Sequence, residues 1–167
     1  GPAIEVRSPR WWYGSKQEKE FRIYVLIFHL SRDVAVAVGR LGELVFQTGW
    51  YGYVGSGKSG VEARVRRHLR SHDRPHWHLD YLLLLGQPTA AVIGYTDDSL
   101  ECPLAHYLEQ RCQVIPRFGS SDCRCPGHLF HSPEQASLED AAVQGLTVLG
   151  CSPILYPVEW NWDQTKI

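Results

Sequence analysis

The first half of the chain has the hydrophobic pattern of β-strands. Its longest apolar run, residues 23–30, is interrupted only by His29 and has the length of a buried strand. Similar β-rich segments predict strands over 22–30, 33–38, 43–47 and 50–54, with a tight hairpin at Ser31–Arg32 joining the first two. The small residues of 55–60 are expected to end the sheet and start a helix.

Helical periodicity follows that small-residue segment. Val61, Val65 and Leu69 recur at i, i+4 and i+8, which predicts one buried stripe on a helix that begins after Ser59 and ends at Pro75. Three further helices are predicted over 77–85, 100–112 (N-cap Ser99) and 132–144 (N-cap Ser132). Further strands are predicted over 89–96, 129–130 and 146–156, and an ordered loop over 116–127. The order indicates an α+β fold, with a small, mostly antiparallel sheet flanked by helices.

A length of 167 residues fits one domain, and 44% apolar with 21% charged residues is typical of a soluble globular protein. We expect a loosely ordered arm at 1–20, the domain itself at 21–131 and an extension, 132–167, packed on it.

No apolar run is long enough to cross a membrane, so no membrane partner is expected. The five cysteines are an odd number and unevenly spaced, which favours a reducing, intracellular compartment.

Positive charge is concentrated in one segment of a chain whose formal net charge is only −1. Residues 58–74 carry six Lys or Arg against Glu62 and Asp73, a local excess of +4, with His68 and His72 in addition. Such a focused patch indicates a polyanion site, the other interpretation being a solvated helix face. The side chains predicted to contact nucleic acid are Lys58, Arg66, Arg67, Arg70, His76 and His78.

Two sets of residues have spacings compatible with metal binding. Cys123-x-Cys125-x-x-His128 could be a structural zinc site, completed by His131 or Cys112, or it could order a tight loop without metal. His76-x-His78-x-Asp80 could bind a metal, but one of its histidines is better suited to contact phosphate, the other interpretation being capping and surface packing. Neither set has the paired Cys-x-x-Cys spacing that makes a zinc assignment specific.

Residues 52–59 formally match the nucleotide-binding pattern G-x-x-x-x-G-K-S. That motif places its first glycine after a strand, whereas Tyr53–Val54 is predicted to lie inside one. No acidic strand end suited to magnesium follows, and the sheet is not expected to be parallel. Nucleotide hydrolysis is therefore disfavoured, and it would require ATP or GTP binding that depends on Lys58.

The same segment resembles the GIY-YIG nuclease superfamily when it is combined with other parts of 22–131. Ile23–Tyr24 resembles the first half-motif and Tyr53–Val54–Gly55 the second. Arg64 resembles the arginine of the family's helix, with His68 one turn further on. The segment 100–105 resembles the helix whose glutamate, here Glu101, binds the divalent metal.

Three longer segments, 52–57, 76–81 and 118–130, resemble one branch of that superfamily, found alone or fused to endonuclease III-type DNA glycosylases. The resemblance implies a DNA endonuclease in repair, with damaged or abasic DNA as its first expected substrate. A DNA glycosylase or another repair protein is then an expected partner.

The resemblance also implies roles for individual residues. Glu101 would hold Mg²⁺ or Mn²⁺, and Tyr24 or Tyr53 would activate or orient water. Arg64 would lower the phenol pKa and clamp the phosphate, and His68 would relay the proton.

Two departures support a different class of function, a non-catalytic nucleic-acid-binding module on a nuclease scaffold. Arg22 stands where the first half-motif has glycine, and Gly119–Ser120 stands where the family has asparagine. Such a module would bind nucleic acid in a salt-sensitive way without cutting it.

Overall fold

The computed structural model describes residues 5–6, 21–37, 40, 42–57, 82, 85–96, 98–118 and 123–157. The predicted helix after Ser59 lies outside these residues, as do nearly all of the predicted helix over 77–85 and of the arm at 1–20. None of the described helices is long and apolar enough to cross a membrane.

Nine strands and two helices are formed by the described residues. In chain order they are β1 (Glu5–Val6), β2 (Phe21–Leu30), β3 (Val34–Ala37), β4 (Glu43–Phe46), β5 (Gly49–Gly57), β6 (Gln87–Thr96), α1 (Glu101–Glu109), β7 (Gln113–Ile115), β8 (Leu129–Ser132), α2 (Gln135–Val148) and β9 (Ile154–Pro157). Seven strands form one sheet in the order β1-β9-β6-β2-β5-β8-β7, and β3 pairs with β4 separately. Every pairing is antiparallel except that of β1 with β9, which confirms the predicted α+β class.

β2 is the centre of the large sheet because its hydrophobic run can be buried on both faces. Its residues divide by alternation between two clusters of buried side chains. The tyrosine face, as we call the first, includes Tyr24, Leu26, Phe28, Tyr51, Tyr53, Phe46 and Phe118. The helical face, the second, includes Ile23, Val25, Val54 and Phe130 together with the buried residues of α1 and α2.

The two helices cover the helical face with short aliphatic side chains. Leu104 and Leu108 of α1 and Leu138 and Leu146 of α2 are fully buried, each contributing about 1.5–3 kcal/mol of transfer free energy. Gly145 allows close contact between the helices, since a Cβ there would lie 2.8 Å from Leu104 Cδ1. This packing fixes the start of α1 against β5.

The strand pairing corrects two predictions. Ser31–Arg32 does not form a hairpin between β2 and β3, because β2 is paired on both sides by β5 and β6 and β3 pairs with β4. β5 continues to Gly57, which pairs with Arg22, so Gly55 and Ser56 belong to the strand rather than to the predicted turn. Both corrections reflect long-range pairing that local turn signals do not report.

The helix ends also differ from the predictions. α1 has Leu100 rather than Ser99 as its N-cap and ends at Glu109, and the residues 113–115 form the unpredicted strand β7. Ser132 ends β8, and its Oγ accepts the backbone N–H of Glu134, which is the N-cap of α2.

α2 continues to Val148, so the strand predicted over 146–156 is reduced to β9. Gly150, with φ 93°, ends this helix in a Schellman motif. Its N–H donates to Thr147 O (3.0 Å), and the Cys151 N–H donates to Leu146 O (2.9 Å).

Candidate metal centre

Three cysteines and one histidine converge at the start of α1. They are Cys102, Cys123, Cys125 and His128, and one ligand atom from each lies within 4.8 Å of the corresponding atoms of the others. Cys123 Sγ lies 3.4 Å from His128 Nε2. This arrangement could hold a metal ion.

The loop between β7 and β8 places three of the four residues. Arg117 has φ 63°, and its N–H donates to Pro126 O at 2.5 Å, while the His128 N–H donates to Phe118 O at 2.7 Å. Gly127 packs against the Ile115 carbonyl oxygen so closely that a Cβ would overlap it. The loop ends are thus held together just before His128.

Backbone contacts then fix the cluster to the sheet. The His128 carbonyl accepts the Val54 N–H at 2.9 Å, which ties the loop to the central strand β5. Cys102 is the second residue of α1, so the helix packing described above sets its position. Residues far apart in the sequence therefore meet because a helix start and a closed loop both pack at one end of the helical face.

The cysteines of the cluster differ in their ionisation. Burial acts to raise the pKa of Cys123, but hydrogen bonds from the Cys125 backbone and side chain and from Cys102 lower it below its ordinary value. Burial, followed by the bonds to Cys102 and Cys123, raises the pKa of Cys125 to about 12. Cys123 is therefore the cluster cysteine whose thiol pKa is lowered.

Glu101 joins the cluster to β5. One of its oxygens, Oε2, accepts a hydrogen bond from Ser56 Oγ, and the other, Oε1, lies 3.2 Å from His128 Nδ1. The Glu101 side chain is 33% exposed, whereas that of His128 is 3% exposed. Burial alone would lower the pKa of His128, but the Glu101 carboxylate and the Cys123 sulfur raise it above 6.5.

A cleft of about 530 Å³ adjoins the cluster on its outer side. Its lining residues are Cys102, Pro103, His106, Glu109, Arg124, Cys125 and Pro126. Two of the four cluster residues therefore line a surface cleft, so solutes can approach the sulfur atoms from this side.

The two predicted catalytic tyrosines lie on the tyrosine face. Tyr24 is 1% exposed and Tyr53 is 8% exposed. Tyr24 is opposite Gly55 in the β2–β5 register, and its phenol covers that glycine so closely that a Cβ would overlap the ring. Glu101 is bonded instead to Ser56, which alternation places on the helical face. The structure brings the two tyrosines together and places Glu101 across the sheet from them.

Most of the other predicted site residues cannot be placed. Lys58, Arg64, Arg66, Arg67, His68, Arg70, His76 and His78 all lie outside the described residues.

The two residues proposed to complete the zinc set are not part of the cluster. The Nε2–H of His131 donates to Thr48 O (3.0 Å) on the tyrosine face, and Cys112 lies beyond the end of α1, where burial raises its pKa.

Two important residues were missed by sequence reasoning. Cys102 takes the fourth position, and its only signal is that it directly follows Glu101 at a helix start. Ser56 was assigned to a turn because of its glycine neighbours, although the strand continues through it. Spacing rules could not find Cys102, because it is distant from the other three ligands in the sequence.

One family model matches residues 23–151, which is most of the chain and includes β2, β5, the cluster and both helices; its description is domain of unknown function DUF123. The chain belongs to that family. No curated protein and no solved structure matches the chain significantly. Membership of DUF123 does not itself specify an activity.

Proposed function

We propose that this DUF123 protein is a metal-dependent DNA endonuclease of the GIY-YIG type. The observation that carries the proposal is the pairing of the two half-motifs on adjacent strands. Tyr24 is opposite Gly55, and Leu26 is opposite Tyr53, so the half-motifs share one end of the sheet. Strand β5 leads from there into the basic segment 58–74, which supplies positive charge for a phosphate backbone.

Glu101 supports the proposal because it is attached to the same end of the sheet. Its partner Ser56 is opposite Ile23, next to Tyr24. A carboxylate offers about four lone-pair positions, so contacts with Ser56 and His128 leave room for a cation. A single carboxylate that is one-third exposed suits Mg²⁺ or Mn²⁺, which keep most of their water. When bound, such an ion would polarise a phosphate oxygen and stabilise the leaving group.

The remaining roles are assigned to residues of the two half-motifs and the basic segment. Arg64 would clamp the phosphate in a bidentate manner, and His68 would carry a proton. Tyr53 or Tyr24 would orient the attacking water where the strands end. Lys58, Arg66, Arg67, Arg70, His76 and His78 would contact the DNA backbone and so set the salt dependence of binding. The Cys/His cluster would hold a softer ion, zinc, because thiolates favour it over magnesium.

The proposal is tested by a cleavage panel of single-stranded, duplex, branched, uracil-containing and abasic DNA, with and without Mg²⁺ or Mn²⁺. We expect metal-dependent cutting, with damaged or abasic DNA as the preferred substrate and a DNA glycosylase as a candidate partner. Arg64→Ala should lower the rate about 100-fold or more, because it removes a charge that stabilises the transition state. Glu101→Ala should abolish the metal-dependent cutting, because it removes the carboxylate that would hold the ion.

The matched control is Glu109→Ala, on the same helix, whose carboxylate contacts His106 and lines the cleft. It should cut like the wild type. Absence of cutting on every DNA with either metal, together with identical behaviour of the Glu101 and Glu109 variants, would overturn the proposal.

A second function, a non-catalytic nucleic-acid-binding module, is favoured by the burial of the tyrosines. Tyr24 and Tyr53 are almost completely buried, and Glu101 lies on the other side of the sheet. Such a module predicts binding that weakens with salt and in Arg66→Ala and Arg70→Ala, with no strand scission. Binding without cutting across the same panel would select it over the endonuclease.

A further inference from the structure

We infer that Cys102, Cys123, Cys125 and His128 hold one structural zinc ion and that Glu101 is the carboxylate that orients its histidine. The metal site is independent of the endonuclease proposal. It rests on the convergence of four donors at one end of the helical face.

The donor set selects the ion. Three sulfurs and one imidazole are soft and borderline ligands, which suit Zn²⁺ and do not suit magnesium or calcium. Zinc lies about 2.3 Å from sulfur and about 2.0–2.1 Å from nitrogen in tetrahedral sites, which puts a sulfur and a nitrogen about 3.5 Å apart and two sulfurs about 3.8 Å apart. Cys123 Sγ and His128 Nε2 are 3.4 Å apart, and all four donor atoms lie within 4.8 Å of one another. Small rotations of the thiols would complete the tetrahedron.

The number of donors indicates the role of the ion. Catalytic zinc keeps a position for water, whereas four protein ligands close the coordination sphere. The ion would join the start of α1 to the loop before β8. Its role in this protein is therefore structural, to hold the start of α1 and the loop before β8 in place.

A disulfide is the competing explanation for sulfurs at this distance. All five cysteines are free in the structure, including the three of the cluster. A disulfide would use two of those three sulfurs and leave the third beside the buried His128. Zinc uses all four groups at once, which is why we favour it.

The two ring nitrogens of His128 face different partners. Nε2 faces Cys123, so it is the nitrogen directed at the metal, while Nδ1 lies 3.2 Å from Glu101 Oε1. That contact is not in hydrogen-bond geometry, and Nδ1 is buried without another partner among the described residues. Histidines bound to zinc usually donate their second N–H to a carboxylate, which fixes the tautomer and the ring orientation. Glu101 is placed to accept it.

Ser56 extends this arrangement to the sheet. Its hydroxyl donates to Glu101 Oε2, so the carboxylate is held between β5 and the histidine. Glu101 is thus a positioning residue of the zinc site. If it also binds the catalytic metal, a step that rests on the proposed function, the zinc centre would set the orientation of the catalytic carboxylate.

The first experiment measures bound zinc in the full chain, purified under reducing conditions without chelator, by elemental analysis and native mass spectrometry. We expect one zinc per chain in the wild type and a loss of zinc in Cys102→Ser, Cys125→Ser and His128→Ala. The matched controls, Cys112→Ser and His131→Gln, change the two alternative fourth ligands and should keep their zinc.

Metal-free wild type, or loss of zinc in Cys112→Ser with retention in Cys102→Ser, would overturn the assignment. A thiol count showing an oxidised pair among residues 102, 123 and 125 would do the same. Because loss of a ligand can prevent folding, the wild type is also loaded with Co²⁺. The visible and near-ultraviolet bands of tetrahedral cobalt bound by thiolates are expected, and octahedral cobalt without a thiolate band would contradict the proposal.

The second experiment tests Glu101 by competing zinc against a chromogenic chelator. Glu101→Ala should weaken zinc binding about 10–100-fold, the usual effect of removing an outer-sphere partner. Glu101→Gln should recover part of this loss, since an amide oxygen can still accept the Nδ1–H. Glu109→Gln, which alters a carboxylate contacting His106 on the same helix, should leave affinity unchanged. Equal affinities in all four proteins would remove Glu101 from the zinc site.

The experiments can reject the zinc proposal and the endonuclease proposal independently of each other. A protein that binds one zinc without cutting DNA rejects the endonuclease and keeps the zinc centre. One that cuts DNA with magnesium but contains no zinc does the reverse.

Discussion

The two faces of the central sheet are both well buried, but they differ in the chemistry found at their edges. The tyrosine face is filled by interlocking aromatic rings, with Phe46 edge-on to both Tyr51 and Phe118 at centroid distances of 6.1 and 6.2 Å. The helical face is filled by aliphatic side chains packed under α1 and α2. Among the described residues, the cluster of possible metal ligands lies at the end of the helical face, where α1 begins.

The polar groups of the two faces also differ in burial and in ionisation. Tyr51 Oη donates to Gln47 O at 2.6 Å, and burial raises the pKa of this phenol well above its ordinary value. Such a phenol stays neutral and serves packing. Glu101, in contrast, is one-third exposed and is held by Ser56 and His128. Among the described residues, the side chains that could together hold a metal ion lie at this end of the helical face.

Removing the proposed zinc should have the largest effect on stability, because the ion would join α1 to the loop before β8 at the end of the helical face. A zinc-selective chelator should lower Tm by about 10 °C or more, since structural zinc supplies several kcal/mol and each corresponds to roughly 2–4 °C at this size. Differential scanning calorimetry checks this, with zinc refilling as the control. An unchanged Tm after complete zinc removal would show that the ion does not stabilise the fold.

Phe46→Ala should disturb the tyrosine face alone. The side chain is 1% exposed and joins the β3–β4 hairpin to the large sheet, so its loss should cost about 3 kcal/mol. Hydrogen exchange should accelerate in residues 34–46 while α1 and α2 stay protected. Uniform acceleration across both faces would mean that they do not open independently.

Glycines on opposite faces of β5 should respond differently to alanine. Gly55→Ala would clash with the Tyr24 phenol and should cost about 1–3 kcal/mol. Gly52→Ala places its Cβ 3.2 Å from Val25 Cγ1 and 3.3 Å from Leu138 Cδ2, a tight contact that shifts of a few tenths of an ångström relieve, and should cost less than about 1 kcal/mol. Urea denaturation of both variants measures this difference, and the reverse ranking would refute the assignment of the two positions to the faces.

Asp33→Asn should give the smallest effect on Tm, and that effect should disappear in strong acid. Hydrogen bonds from the Thr48 N–H (2.6 Å) and hydroxyl (2.9 Å) lower its pKa below 3.8. A lowered pKa stabilises the fold above pH 3.8, and this contribution is lost as the pH falls further. Asp33→Asn should therefore have a slightly lower Tm than the wild type near neutral pH and the same Tm in strong acid. A Tm gap that persists in strong acid would contradict this.

The sequence was sufficient to predict most strands, because alternation and the run of residues 23–30 report burial directly. It was insufficient for strand partners and helix ends. The strand β7 and the extension of β5 to Gly57 depend on pairing with other segments of the chain. The sequence also did not show that β3 pairs with β4 rather than with β2. The stop at Gly150 had a sequence signal, a glycine after a helical run, that the prediction over 146–156 did not use.

The candidate site was only partly predictable, because some of its residues are close in the sequence and others meet only in the folded protein. Cys123, Cys125 and His128 are close in sequence, and their spacing was enough to suggest a metal site. Cys102 could not be found, because only the packing of α1 brings it to the other three. The interpretation of Glu101 rested on a resemblance, and its contacts with Ser56 and His128 depend on the tertiary fold.

The most direct test of the account is cleavage of abasic duplex DNA with magnesium by zinc-loaded wild type, Glu101→Ala and Glu109→Ala at equal zinc content. The account predicts magnesium-dependent cutting by the wild type and Glu109→Ala and none by Glu101→Ala. Intact DNA with all three proteins, or equal cutting by all three, would contradict it.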